Sequence, residues 1–171
     1  MFRHKQTGFT IVELLIVIVV IAILAAITIV AYNGIQNRAN DSAVESDVAT
    51  VAQKVKLYQI DNGAYPNSLQ LPTAVAGFTA AKGSYAIHGT TDHNLIYCMS
   101  IDKTTFAVVA YSKSGNKFIA TESSGVLPYN NAWTDQTVAC QGALGANYST
   151  NLRGYAGDDL VTGPWRAWTG S

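Results

Sequence analysis

The chain has few charged residues, few cysteines and few histidines for its length of 171 residues. Asp, Glu, Lys and Arg make up 13% of it, and its 11 acidic and 11 basic side chains balance. The basic side chains are scattered along the sequence, so they form no patch of the kind that binds nucleic acid. Apolar residues are abundant, at 49% of the total. The length suits one modest domain.

Motifs of enzymes and metal sites are also missing. No G-x-S-x-G, HExxH, C-x-x-C or phosphate-binding loop occurs, so we expect a protein that is not an enzyme and needs no cofactor. His88 and His93 flank Asp92, but nothing in the nearby sequence completes a set of metal ligands. The adjacent acids Asp158 and Asp159 are a weak calcium candidate, for which a solvated acidic turn is the simpler interpretation.

The N-terminus combines a short basic start with a long apolar run. Residues 1–8 read MFRHKQTG. Between this start and Arg38 the chain carries one charged residue, the acid Glu13. The apolar run Leu14–Ala31 is interrupted only by Thr28. Together with the residues from position 9 it spans about 23 residues, or roughly 35 Å as a helix, which is enough to cross a bilayer.

Three ordinary interpretations of this segment each leave something unexplained. The run is too long for the apolar core of a typical secretory signal peptide. A buried helix of such uniform apolarity would be unusual in a soluble protein of this size. A plain transmembrane anchor accounts for the length and for a basic cytoplasmic flank. It does not account for Glu13, because a carboxylate near the bilayer centre costs about 2.5–3.5 kcal/mol.

The pattern G-F-T-x-x-E-L, from Gly8 to Leu14, resembles the processing site of type IV pilins and pseudopilins. The resemblance implies that a prepilin peptidase cuts the Gly8–Phe9 bond on the cytoplasmic side of the membrane. It also implies that the new amine of Phe9 is N-methylated and that the apolar segment is kept. The carboxylate of Glu13 is then expected to pair with the Phe9 amine of a neighbouring subunit, since a buried charge needs a partner.

The helical pattern continues beyond the apolar segment. An amphipathic helix is predicted over 32–60, because apolar residues recur there at steps of three and four. It cannot cross Pro66, and the stretch from Tyr58 to Pro66 resembles the helix exit of many pilins and pseudopilins. The apolar stripe comprises Ile35, Ala39, Ala43, Val44, Val48, Val51, Ala52, Val55 and Tyr58.

The remaining sequence predicts a loop over 61–83, a sheet over 84–122 and a loop-rich region over 123–171. Short turn-like connections imply antiparallel neighbours, and the apolar face of the sheet is expected to cover the stripe of the helix. The predicted fold class is therefore α+β, a long N-terminal helix packed on about four strands. The strand-like runs are Ser84–His88, Asn94–Ile101, Thr105–Ser112 and Lys117–Glu122.

The two cysteines, Cys98 and Cys140, allow a single intramolecular pairing. They can form a disulfide if this part of the chain is exported, and they remain two thiols if it is not. The resemblance favours the disulfide, since pilins commonly have a disulfide-bounded C-terminal region.

The main functional hypothesis is a structural subunit of a type IV pilus-like filament for adhesion, motility or DNA uptake. Residues 1–8 would be the leader, residues 9–31 the transmembrane and filament-core segment, and residues 32–171 the head. The implied partners are further copies in a helical homopolymer, the prepilin peptidase and an inner-membrane assembly platform. The precursor would cross the cytoplasmic membrane once, with its N-terminus in the cytoplasm, and the filament would lie at the cell surface. The alternatives are a pseudopilin of a type II secretion system and a minor adhesive or DNA-binding pilin.

Overall fold

A computed structural model of the chain describes residues 8–86, 93–149 and 153–156. The chain divides into two compact units, which we call the anchor unit (1–36) and the head unit (37–171). Helix α1, Ile11–Asn62, contributes residues to both units. It is the one helix of the described residues that is long and apolar enough to cross a membrane. Its bounds confirm the predicted helix to within about two residues at each end.

The end of α1 follows from local backbone chemistry. Gly63 adopts a left-handed conformation with φ of 75°, which favours glycine. Its N–H still donates to the carbonyl of Gln59 at 2.8 Å, so the last turn is closed before the chain leaves the helix. The loop expected over 61–83 contains one short helix, α2 (Leu71–Ala74), and a 3₁₀ turn at Lys82–Ser84.

The described residues of the head unit form a five-stranded antiparallel sheet in the order β4-β3-β2-β1-β5. Three of its strands correspond to predicted ones, and the α+β class is confirmed. The two outer strands are short and lie in the region where regular patterning fades. The strands are β1 (His93–Met99), β2 (Phe106–Tyr111), β3 (Lys117–Thr121), β4 (Leu127–Pro128) and β5 (Arg153–Ala156).

The first predicted strand, Ser84–His88, is not a strand in its described part. Tyr85 makes an isolated bridge with Ser112, which lies just beyond the end of β2. The edge of β2 is already occupied by β1 from the Leu95–Ala110 pair onward, so this segment pairs only at the end of the strand. Residues 87–92, and with them His88, lie outside the described residues.

Strands β1 and β2 are buried on both faces, which was not predicted from the sequence. Because side chains alternate along a strand, Leu95, Tyr97 and Met99 face one side and Ile96 and Cys98 face the other. The first face packs against the valines of α1. The second packs against a further helix, α3 (Gln136–Leu144), and the aromatic residues before it. The buried valines of α1 are Val44, Val48, Val51 and Val55.

Helix α3 begins at a cap and packs closely on the chain before it. The Asp135 side chain accepts a hydrogen bond from Val138 N at 2.9 Å, which satisfies a free donor of the first turn. The Tyr129 hydroxyl donates to the carbonyl of Ala139 at 2.7 Å. Gly142 lies against Tyr129 and Asn131, and its carbonyl accepts a hydrogen bond from the Asn131 amide at 2.6 Å.

Replacing Gly142 by alanine should destabilise the head by about 1–3 kcal/mol, because the new methyl group has no room. Its Cβ would overlap the Tyr129 hydroxyl and lie 2.9 Å from Asn131 Cβ. At an exposed helix position, replacing glycine by alanine usually stabilises the protein by about 1 kcal/mol. A loss of stability at Gly142 would therefore indicate the close packing. Urea unfolding of the detergent-solubilised chain, followed by tryptophan fluorescence, measures it. Gly125→Ala is the control, because no atom lies within 4 Å of the added Cβ there. Equal stability of the two variants would contradict this packing.

Candidate assembly site at the start of helix α1

Thr10 and Glu13 form a reciprocal cap at the first turn of α1. Glu13 Oε2 accepts hydrogen bonds from the Thr10 backbone N–H at 2.8 Å and from the Thr10 hydroxyl at 2.7 Å. The Glu13 N–H donates in return to Thr10 Oγ1 at 3.2 Å. This is a capping box, in which a threonine and a glutamate three residues later satisfy free donors of the helix start.

The position of Glu13 in the first turn also favours its negative charge. The free N–H groups at a helix start carry a partial positive charge, which attracts a carboxylate. No Lys or Arg lies between Gly8 and Gln36, so the described part of the anchor unit offers Glu13 hydrogen bonds but no opposite charge. The sequence motif T-x-x-E could have revealed this cap. The only partner predicted for Glu13 was the Phe9 amine of a neighbouring subunit.

The predicted processing residues precede the helix. Gly8 and Phe9 lie before the first turn of α1, and both are exposed, with Phe9 at 86%. Phe9 and Glu13 line the same shallow groove, together with Leu14, Ile16 and Val17. Cleavage at Gly8–Phe9, methylation of Phe9 and an amine–carboxylate pair between subunits stay predictions.

The apolar side chains that follow are exposed throughout the described part of the anchor unit. Thr28 is the polar residue within the apolar run Leu14–Ala31. Its hydroxyl donates to the Ala25 carbonyl at 2.9 Å within the same helix. A row of exposed aliphatic side chains is stable only in lipid or against other apolar surfaces. The large exposed side chains are Phe9, Ile11, Val12, Leu14, Leu15, Ile16, Val17, Ile18, Val19, Val20, Ile21, Ile23, Leu24, Ile27, Ile29 and Val30.

Two aspartates of α1 attach the helix to loops of the head. Asp41 accepts hydrogen bonds from the hydroxyl of Ser114 and from the amide of Asn116 at 2.8 Å, both in the turn between β2 and β3. Partial burial alone would raise the pKa of Asp41, but hydrogen bonds from Ser112, Ser114 and Asn116 outweigh it and lower the pKa.

Asp47 is the more buried of these two aspartates, at 9% exposure. Its Oδ2 accepts hydrogen bonds from Ala81 N–H at 2.7 Å and from the Tyr85 hydroxyl at 2.8 Å. Burial raises the pKa of Asp47, and the two hydrogen bonds offset this only in part. A third attachment on the same helix joins Lys54 Nζ to the Ala76 carbonyl at 2.8 Å.

A disulfide joins Cys98 of β1 to Cys140 of α3, with 5.5 Å between the two Cα atoms. Both residues are fully buried on the sheet face that carries α3. The bond therefore fixes α3 to β1, one of the inner strands of the sheet. The described residues contain no cluster of metal-ligating side chains. The calcium candidate, Asp158 and Asp159, lies outside them.

Comparison with known proteins agrees with this arrangement. Residues 3–29 match the family model described as the prokaryotic N-terminal methylation motif. The chain is 33% identical over 132 residues to the type IV wide pilus major component PilA4 of Thermus thermophilus, covering 77% of this chain and 93% of that protein. The chain therefore belongs to the type IV pilin and pseudopilin family.

Secretion proteins of the same family match over a shorter stretch of the chain. The type II secretion system core protein G of Pseudomonas aeruginosa is 33% identical over 70 residues, which is 41% of this chain and 49% of that protein. The corresponding protein of Klebsiella michiganensis is 34% identical over 70 residues, again 49% of its length. The chain thus matches about half the length of these secretion proteins. Members of this family assemble into filaments from copies of themselves, and the relatives named here are structural subunits, not enzymes.

Proposed function

We propose that this chain is the precursor of a structural subunit of a type IV pilus-like filament. The observation that carries the proposal is the first half of α1, which exposes apolar side chains over about 20 residues and holds one acid at its start. Such a surface is satisfied by lipid in the precursor and by the α1 helices of other copies in a filament. The similarity to a major pilus component over 93% of that protein's length supports a pilus over a single-copy membrane protein.

Assembly uses Glu13 in two successive ways. In the membrane the capping box satisfies Oε2 within the chain, which lowers the cost of holding a carboxylate at the edge of lipid. The described residues give Oε1 no hydrogen-bond donor. In the filament the amine of Phe9 from a neighbour would approach this carboxylate, so that neutralising a charge also sets the register of the incoming subunit.

The finer parts of the proposal concern partners and location. A prepilin peptidase would cut between Gly8 and Phe9 on the cytoplasmic side, and an inner-membrane platform would extract the processed subunit. The precursor would cross the cytoplasmic membrane once, with its N-terminus inside. The head would lie on the opposite side and reach the cell surface in the filament. The buried disulfide of the head supports its export, because such bonds persist in oxidising compartments. The chain would act as a structural polymer without a resident cofactor.

Replacing Glu13 by alanine should leave processing intact and reduce surface filaments at least tenfold. Filaments sheared from cells are counted by electron microscopy, and the same material is analysed by mass spectrometry for a chain that starts at methylated Phe9. Glu13→Gln keeps an acceptor for the Thr10 donors but carries no charge, so its failure to assemble would separate the charge pair from the helix cap. Thr28→Ala is the control. It removes a polar group from the same segment, but one whose hydrogen bond lies within its own helix, so filament assembly should not depend on it. Normal filaments from Glu13→Ala would refute the role of the acid.

A pseudopilin of a type II secretion system is the second candidate. Its support is the match to core protein G of several species, each over 70 residues or 41% of this chain. The wild-type sample decides between the two candidates. Abundant long filaments that contain this chain favour the pilus. A processed chain that stays in the membrane fraction favours the pseudopilin.

A further inference from the structure

A pocket of about 280 Å³ opens on the head unit between two segments of the chain. The first segment is the turn between β2 and β3 with the start of β3, and the second is the end of β4 with the two residues after it. The volume lies at the lower end of the range for sites that hold small molecules. The side chains that line the pocket are Asn116, Lys117, Phe118, Pro128, Tyr129 and Asn130.

Lys117 is the charged residue of this lining, and its ammonium group is held in place before any ligand arrives. Its Nζ donates to the Asn131 carbonyl and lies 5.8 Å from the centroid of the Tyr129 ring. That ring is itself held by the Tyr129 hydroxyl, which donates to the Ala139 carbonyl. An ammonium group has three N–H donors, and the residues that the structure describes accept from one of them here. An anion that binds this fixed cation therefore loses less affinity to the ordering of the side chain.

Two side-chain amides of the lining have hydrogen-bonding groups to spare. Asn116 Nδ2 donates to Asp41 Oδ2 at 2.8 Å, and no described residue donates to Asn116 Oδ1. Asn130 is exposed, and its side chain makes no hydrogen bond within the described part of the chain. An amide both donates and accepts, as the hydroxyl groups of a sugar do, and neighbouring hydroxyls suit such groups. The rest of the side-chain lining is apolar or aromatic, which suits the C–H face of a sugar ring.

We propose that this pocket binds a saccharide that carries a carboxylate, such as a uronic acid unit of an acidic polysaccharide. The carboxylate meets Lys117 Nζ, and the ring hydroxyls meet the amides of Asn116 and Asn130. No acidic side chain lines the pocket, and the sequence over 123–149 carries one acid, Asp135. This binding activity goes beyond the proposed function and does not rest on it, because the whole site belongs to the head of a single chain.

Titration calorimetry of the full chain with tri-galacturonate tests the proposal, in a detergent without a sugar headgroup. Lys117→Gln should weaken binding at least about tenfold, and Asn130→Ala should weaken it about threefold, since the first loses a charged hydrogen bond and the second a neutral one. Lys113→Gln is the matched control, a lysine of the same turn that does not line the pocket, and it should leave the affinity unchanged. The urea midpoint of Asn130→Ala should equal that of wild type, because the side chain is exposed and unbonded.

Two further ligands test the chemical class. Neutral maltotriose lacks the carboxylate, and triglutamate carries carboxylates without a sugar, so each should bind at least about tenfold more weakly than tri-galacturonate. Equal binding of either one would overturn the proposal, as would no binding of tri-galacturonate. An equal loss of affinity in Lys113→Gln and Lys117→Gln would also overturn it, because the attraction would then belong to the general charge of the head. Filament formation enters none of these measurements, so their failure would leave the proposed function standing.

Discussion

Replacing both cysteines by alanine, Cys98→Ala with Cys140→Ala, should lower the free energy of unfolding of the head by about 4 kcal/mol. The disulfide closes a loop of 42 positions, and in the chain-entropy model a cross-link of this span removes that much conformational freedom from the unfolded chain. Alanine is the better replacement because both positions are fully buried and serine would add polar groups without certain partners. Urea unfolding under oxidising conditions measures the difference from wild type.

The single variants provide an internal control for this disulfide prediction. Cys98→Ala and Cys140→Ala each break the same bond. Each should therefore lower the free energy of unfolding nearly as much as the double change, so the two effects do not add. The wild-type bond should also resist a reductant until the head unfolds, because both sulfur-bearing residues are inaccessible. A double variant within 1 kcal/mol of wild type would show that the bond does not stabilise the head.

Asp47→Ala should destabilise the head by about 2–3 kcal/mol, whereas Asp47→Asn should change its stability by less than about 1 kcal/mol. One oxygen, Oδ2, accepts both hydrogen bonds, from Ala81 N–H and the Tyr85 hydroxyl. The asparagine carbonyl can occupy that place and accept both, while alanine removes the acceptor from a buried site. Chemical unfolding of the two variants at neutral pH compares them. Equal losses from alanine and asparagine would show that the charge, not the acceptor, is required.

The pH dependence of the asparagine variant tests the raised pKa of Asp47. Burial raises the pKa in the folded state above the unfolded value of about 4, so the folded chain holds this proton more tightly. The part of the stability that depends on the Asp47 proton is therefore fully present below pH 4 and is lost as the pH rises through the folded pKa. The two hydrogen bonds that Oδ2 accepts remain at neutral pH. The free energy of unfolding of wild type minus that of Asp47→Asn should accordingly be larger at pH 4 than at pH 7. A difference that grows with pH would mean that the pKa is lowered.

The parts of the fold that the sequence predicts are those with strong local patterns. The uniform apolar run, the stripe of valines and the glycine before Pro66 mark α1 from its start to its end. The runs around Tyr97, Val108 and Ile119 mark β1, β2 and β3, because each is a short apolar stretch between turn residues. In each of these cases, the residues that determine the element lie within it or within a few positions of its ends.

The missed elements depend on distant contacts. Helix α3 has only nine residues and contains Gly142, so its own helix propensity is weak. It is stabilised by the Asp135 cap, by the bond to Cys98 and by packing on the second face of the sheet. The continuous apolar run of β1 was the available signal for this second covered face, since strands buried on both sides lose their alternation. Strand β5 shows no pattern of its own and is defined only by pairing with β1.

In the candidate site, too, local motifs could be predicted from the sequence and contacts between distant residues could not. The processing motif and Glu13 are visible in the sequence, and so is the threonine three residues before the acid, which the structure reveals as a cap. The links from Asp41 and Asp47 to the head join residues 73 and 34 or more positions apart, so no local pattern could reveal them.

The short outer strand β4 bears on how finished filaments behave towards one another. In the proposed filament many heads would lie at close spacing, and a long unpaired strand at the margin of each head would act as a template for backbone pairing with adjacent fibres. Among the residues that the structure describes, two at this margin, Leu127 and Pro128, pair with β3, and the proline has no N–H to offer a further strand. In the proposed filament this margin would thus offer neighbouring fibres little backbone for lateral pairing, and bundling through it would rely on side chains and remain reversible.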